Sequence, residues 1–187
     1  GIASVGSSSG VVTGVSAGVA IITYSLPTGC FVTEDIIVHP LSAIFTMDII
    51  LCMGDSTTYF DTTSGGKFYS SDPGVAIVDT LTGVVHSVSP GVATIYYVLP
   101  TLCQASLNVT VYPLPAAIVG KDSVCVGDTV MFVDADTPGT WTHRFGFAFA
   151  HLLTGQIDGI TPGIDTITYT LPTGCLTRNA YTKNDKL

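Results

Sequence analysis

The chain has 187 residues, 47% of them apolar and 11% charged, with 20 glycines, 10 prolines and a formal net charge of −8. So apolar and weakly charged a composition excludes charge-driven disorder, and without a basic cluster there is no footprint for a phosphate backbone, so nucleic acid is excluded as a partner. No run reaches the roughly 18 consecutive apolar residues of a membrane helix, and no basic stretch followed by an apolar core opens the chain, so any export signal is expected outside it.

Threonine, serine and valine are abundant and no amphipathic helical period stands out, which predicts an all-β chain of short strands. In chain order, Gly10-Val11-Val12 and Gly18 lead into an apolar stretch, Ile21–Ser25, which ends in Ser25-Leu26-Pro27-Thr28-Gly29-Cys30. After Val38-His39-Pro40-Leu41 come Leu51-Cys52-Met53-Gly54-Asp55, the strand Thr57–Phe60 and the aromatic Phe68. Gly83-Val84-Val85, Gly91, Thr94–Val98 and Val98-Leu99-Pro100-Thr101-Leu102-Cys103 then repeat the opening pattern, and an alternating strand, Leu107–Val111, precedes Tyr112-Pro113-Leu114-Pro115. A third pass reads Val124-Cys125-Val126-Gly127-Asp128, Val130–Val133, Trp141, Gly155-Gln156-Ile157, Gly163, Thr166–Thr170 and Thr170-Leu171-Pro172-Thr173-Gly174-Cys175.

The shared register of these blocks defines a tandem repeat of about 73 residues. It divides the chain into the C-terminal half of one unit at 1–41, a complete unit at 42–115 and a third at 116–187. Proline at the two junctions removes a backbone donor and fixes φ, predicting short, stiff connections. About seven short strands per unit predict a β-sandwich. Ile95 with Tyr97, Ile22 with Tyr24, and Ile167 with Tyr169 recur two apart and are expected to face the core. In the third unit His143–His151 does not match Ser70–Val78, which puts that strand in doubt. The tail from Leu176, with Arg178, Asn179, Lys183 and Lys186, lacks the alternation of Gln104–Tyr112, as expected of a cap or a poorly closed unit.

The stretch from Phe68 to Tyr97, with Ser-Ser-Asp-Pro-Gly-Val-Ala-Ile-Val-Asp, Thr-Gly-Val-Val and Gly-Val-Ala-Thr-Ile-Tyr-Tyr, resembles the group-two bacterial immunoglobulin-like repeats. The paired cysteines and Leu-Pro-Thr-Gly-Cys are similar to repeats of giant secreted surface proteins of Bacteroidota. The resemblance implies tandem immunoglobulin-like sandwiches outside the cell. Within each repeat the register then pairs Cys52 with Cys103 and Cys125 with Cys175, each closing a loop of about 50 residues and contributing roughly 4 kcal/mol on the chain-entropy model. Phe68 and Trp141 are expected to pack on these bridges. Cys30 is left unpaired, or bonded to another subunit. No closely spaced Cys and His set suggests a metal, and no cofactor is expected.

His39, His86, His143 and His151 occupy non-equivalent places in the repeat and build no recurring catalytic position. Ser7-Ser8-Ser9 and Ser70-Ser71 read as turns. Asp134-Ala135-Asp136 hints at calcium, but repeat two has Asp61-Thr62-Thr63 there, too few oxygen ligands. Asp followed by Ser or Thr and then an apolar residue or Thr recurs, and it resembles the O-glycosylation acceptor pattern of Bacteroidota. The candidate acceptors are Ser56, Thr62, Thr80, Ser123, Thr129 and Thr166, with a plain turn-to-strand transition as the alternative; Asn108-Val109-Thr110 fits the N-linked pattern inside a strand. The expected function is a non-enzymatic extracellular stalk or filament on a bacterial surface, partnered by neighbouring repeats or subunits of the same protein. The alternative is a carbohydrate-binding or spacer module of a secreted enzyme, with Phe145, Phe147 and Phe149 as its aromatic platform and surface glycans as its partners.

Overall fold

The computed structural model describes residues 1–182, which contain strands and no helix. The strands are β1 (Ala3–Val5), β2 (Val12–Gly14), β3 (Gly18–Ser25), β4 (Phe31–Val38), β5 (Ile44–Thr46), β6 (Ile50–Cys52), β7 (Ser56–Asp61), β8 (Lys67–Ser70) and β9 (Ala76–Val78). They continue as β10 (Val84–Ser87), β11 (Gly91–Val98), β12 (Gln104–Tyr112), β13 (Thr129–Met131), β14 (Thr140–His143), β15 (Ala148–Ala150), β16 (Gln156–Gly159), β17 (Ile164–Thr170) and β18 (Leu176–Thr182). Backbone packing separates two units. One holds Gly1–Ile49, Ser56–Val88 and Val92–Thr110; the other holds Ile50–Asp55, Ser89–Gly91 and Val111–Leu187.

The middle part of the chain forms two four-stranded sheets, ordered β5-β7-β10-β9 and β6-β12-β11-β8. Lettered from the start, this is A-B-E-D against A′-G-F-C, the strand order of an immunoglobulin sandwich. In the third part β13-β16-β15 and β14-β17-β18 repeat the B-E-D and C-F-G orders, and an isolated bridge between Val119 and Val133 stands near the place of the first strand. The fold class is therefore all-β and immunoglobulin-like.

Alternation explains the cores. In β11, Ala93, Ile95 and Tyr97 are buried, and in β17 Asp165, Ile167 and Tyr169 are, because residues two apart on a strand share one face. Phe68 lies 4.6 Å from Tyr97, and Trp141 lies 4.6 Å from Tyr169 and 6.4 Å from Phe132. These two rings, expected to cover disulfides, pack instead on the tyrosine of the neighbouring strand. Each tyrosine hydroxyl then donates to a loop carbonyl, Tyr97 to Thr63 and Tyr169 to Asp136. Gly83 and Gly155, at φ +71° and +73°, bring their Cα against these cores; a Cβ there would sit 2.2 Å from the carbonyl oxygen of Tyr59 or Phe132.

The first 41 residues depart from the expected core. They form two two-stranded sheets, β1-β2 and β3-β4, and Tyr24 is 67% exposed. A two-stranded ribbon offers Tyr24 no opposing sheet of the kind that covers Tyr97 and Tyr169. The strand in doubt within His143–His151 is present as β15, where Ala148 and Ala150 point inward and Phe149 outward. The tail pairs fully with β17 as β18, from Leu176 opposite Thr170 to Thr182 opposite Ile164; Lys183 and Lys186 lie outside the described residues.

The cysteine pairing also differs from expectation. Cys52 is bonded to Cys175, with Cα atoms 5.5 Å apart, while Cys103, Cys125 and Cys30 are free thiols. Neither Cys52–Cys103 nor Cys125–Cys175 forms, for a geometric reason. Met53, next to Cys52, donates its N–H to Tyr112 at the end of β12, whereas Cys103 immediately precedes the start of β12. The strand between them is nine residues long, about 30 Å at roughly 3.3 Å per residue, and a disulfide requires Cα atoms within about 7 Å. In the third part, Gly127 bonds Gly159 before β17 begins, and Cys175 follows the far end of that seven-residue strand. In each repeat the two cysteines therefore lie at opposite ends of the sandwich.

Candidate functional site

The segment linking β14 to β15 turns on one buried carboxylate. Asp165 in β17 is 1% exposed. Its Oδ1 accepts the N–H groups of Arg144, Phe145 and Thr166 at 3.0, 2.9 and 2.8 Å, and its Oδ2 those of Phe147 and Ala148 at 3.0 and 3.1 Å. Burial pushes this carboxyl up, but the converging backbone donors outweigh it and hold the group below its ordinary value, since hydrogen bonds to the charged form favour it. His143 Nδ1 stands 3.8 Å from Oδ2.

Held this way, the segment presents aromatic side chains outward. Phe145 is 56% exposed beneath the Arg144 guanidinium, which stands 5.1 Å from its ring centroid. Phe149, about half exposed, sits between His143 at 5.9 Å and His151 at 5.1 Å. Only Phe149 belongs to a strand; Phe145 and Phe147 lie in the preceding loop, so the three do not alternate along one strand face. Phe147 folds toward Gly163, where a Cβ would come within 2.5 Å of its ring.

His151 is anchored from below. Its Nε2 lies 2.8 Å from Asp158 Oδ2, while Gln156 and Thr129 donate to Asp158 Oδ1. The hydrogen bond from His151, helped by those from Gln156 and Thr129, pulls the Asp158 carboxyl down to about 2. The result is an exposed surface of two phenylalanines, two imidazoles and a guanidinium. It suits stacking on a flat apolar face and hydrogen bonding at its edge.

The other candidates are dispersed. Asp134 Oδ1 accepts the N–H of Asp136, whose own carboxylate accepts the N–H of Ala116, so both acids serve the loop. Among the glycosylation candidates, Ser56, Thr62, Thr80 and Thr129 are exposed, and Ser123 and Thr166 are half-buried. The Thr129 hydroxyl already donates to Asp158, and Ser56 Oγ lies 2.6 Å from His86 Nδ1 across the β7–β10 pair. His39 lies in the connection after β4.

Asp165 as the organiser of this segment was missed by the sequence reading, which took it only as part of an Asp-Thr motif. The signal was available: the same register position holds Ala93 in the middle repeat and Ala20 in the first. An acid at a buried alanine position, paired with a divergent neighbouring segment, marks a local rebuilding. The Ser56–His86 pair was missed because strand register is not written in either residue.

No protein-family model matches the chain, and no curated protein matches it. Among solved structures it is similar to the C-terminal 282-residue fragment of intimin, determined in complex with the intimin-binding domain of the translocated intimin receptor. Identity there is 14% and the TM-score 0.48, over 76% of this chain and 64% of that one. Domains 4 and 5 of the S-layer protein SbsC match at 16% identity and TM-score 0.34, over 78% of this chain and 98% of that one. Human protocadherin-24 EC1-2 matches at 14% identity and TM-score 0.34, over 77% and 98%. At these scores strand order, rather than likeness, carries the assignment: the chain is an all-β protein of immunoglobulin-like sandwich topology.

Proposed function

We propose that this chain is a structural segment of an extracellular tandem array of immunoglobulin-like repeats, a stalk or filament that spaces and braces a cell-surface protein. The carrying observation is the bond between Cys52 and Cys175. By register these cysteines fall in successive sequence segments, 42–115 and 116–187, and the bond ties Ile50–Asp55 to Val111–Leu187 inside one compact unit. It closes a loop with a sequence separation of 123 residues, about 5 kcal/mol on the chain-entropy model, and such bonds persist in oxidising compartments. Stiff Pro junctions and an internally bonded unit suit a load-bearing array, and glycan on Ser56, Thr62 and Thr80 would sheathe its exposed faces.

Antibody against this chain, with immunogold imaging of intact source cells, is expected to decorate surface fibres. Label confined to the cell interior would overturn the reading.

The exposed aromatic surface around Phe149 supports a second reading, a glycan-binding module. It predicts glycan-array binding that is lost on Phe145→Ala with Phe149→Ala.

A further inference from the structure

The outward face of the β14-β17-β18 sheet differs in chemistry from the matching face of the middle part. Thr142 pairs with Thr168 where Tyr69 pairs with Tyr96, in the same register. By repeat register Thr170 stands where the middle part has Val98, and Arg144 and Arg178 stand where it has Ser71 and Ser106. An aromatic face has become a hydroxyl face bordered by two guanidinium groups. Thr142, Thr168 and Thr170 line a groove there of about 550 Å³, together with His143, Arg144 and Arg178. The row Thr142, Thr168, Arg178 crosses all three strands, a width of about 10 Å at roughly 4.8 Å between neighbouring strands.

Asp165 builds one end of this groove. Its carboxylate takes the N–H groups of Arg144 and Phe145, which fixes the backbone there, and the Phe145 ring lies 5.1 Å from the Arg144 guanidinium. Among the described residues, neither Arg144 nor Arg178 has a carboxylate within ion-pair distance, although the chain carries a formal net charge of −8. The groove therefore offers two guanidinium groups at its borders, hydroxyls on its floor and an aromatic ring at its lip. Guanidinium pairs with carboxylate through two parallel hydrogen bonds, threonine hydroxyls both donate and accept, and an aromatic ring packs against flat apolar faces. An acidic peptide uses the charges alone; an acidic sugar uses all three.

We propose that this groove binds a glycan chain bearing uronate groups. Arg144 and Arg178 each take a carboxylate, the hydroxyls of Thr142, Thr168 and Thr170 bond to sugar hydroxyls, and a sugar ring at the lip packs against Phe145. The proposal rests on the glycan-binding reading and gives it a ligand class. It also gives the divergent segment a purpose: an acid at the position of Ala93 holds Arg144 and Phe145 at the mouth of the groove.

Isothermal titration calorimetry of the full chain compares three probes: hexagalacturonate, neutral galactohexaose and hexaglutamate. The expected result is saturable binding of hexagalacturonate, about tenfold tighter than either of the others. Arg144→Gln with Arg178→Gln should weaken it about tenfold. Both arginines are exposed, circular dichroism checks the fold of the variant, and the three-probe comparison on the wild-type chain decides without it. Lys67→Gln with Lys121→Gln makes the same change of net charge elsewhere and should leave binding unchanged. No binding of hexagalacturonate, equal binding of hexaglutamate, or an equal loss in the lysine variant would overturn the proposal. Equal binding of galactohexaose, lost on Phe145→Ala with Phe149→Ala, would overturn it while leaving the glycan-binding reading standing; a glycan array without any binding would sink both.

Discussion

Leu102 is held where the matching Leu-Pro-Thr-Gly-Cys segments have Gly29 and Gly174, and replacing it tests how this turn before the cysteine is built. Leu102 has φ +67°, while Gly29 and Gly174 in the same turn have φ +88°. The left-handed region costs an L-residue about 1–2 kcal/mol, whereas glycine enters it freely and costs about 0.4–1 kcal/mol through the unfolded chain. Leu102 is 82% exposed, so truncation forfeits little burial. Leu102→Gly is therefore expected to stabilise by about 0.5–1 kcal/mol, a rise of about 4 °C in the transition containing this turn. The converse is Gly174→Ala. A Cβ at Gly174 meets nothing within 4 Å, so its cost is purely conformational and should be about 1 kcal/mol. Urea denaturation followed by circular dichroism reads both. Destabilisation by Leu102→Gly of more than about 0.5 kcal/mol would refute the reasoning, because it would mean that the side chain contributes contacts its exposure denies.

Asp165→Asn keeps one acceptor oxygen but removes the charge and leaves the donors on the other side without a partner; an expected loss of about 2–4 kcal/mol is read from urea midpoints at pH 7. The native carboxyl is held below its unfolded value, so its contribution is present above the unfolded pKa of about 3.9 and lost as pH falls through the lower folded pKa. The difference between wild type and Asp165→Asn should accordingly shrink on acidification, and a difference that grows would contradict the assignment. Gly155→Ala places a Cβ 2.2 Å from the Phe132 carbonyl oxygen at φ +73°, and should cost more than about 2 kcal/mol. Trp141 fluorescence monitors it, because that ring lines the same spot.

Strand order and core followed from alternation. Ile95 and Tyr97, and Ile167 and Tyr169, face inward as their period-two spacing predicts. Tyr24 shares the spacing but lies exposed in a two-stranded ribbon, because alternation specifies a face and not whether anything covers it. The cysteines expose the same gap. Spacing told that they form a repeating set, but bonding depends on which end of the sandwich each reaches. That follows from the hydrogen bond of Met53 to Tyr112, a long-range contact that no local pattern encodes. Asp165 was the most legible of the missed features, since it stands where the other repeats have Ala93 and Ala20. Phe145 and Phe147 lie short of the strand, which begins only at Ala148, because Asp165 captures the backbone N–H groups that a longer strand would have paired.

The Cys52–Cys175 bond is best tested by peptide mapping under non-reducing conditions with free thiols alkylated. Trypsin cuts after Lys67, Lys121, Arg144 and Arg178, which places Cys103, Cys125 and Cys175 on separate peptides and leaves Cys30 with Cys52. The account predicts peptide 1–67 linked to 145–178, a link retained in Cys30→Ser, with 68–121 and 122–144 recovered as alkylated thiols. Peptide 1–67 linked to 68–121, together with 122–144 linked to 145–178, would contradict it.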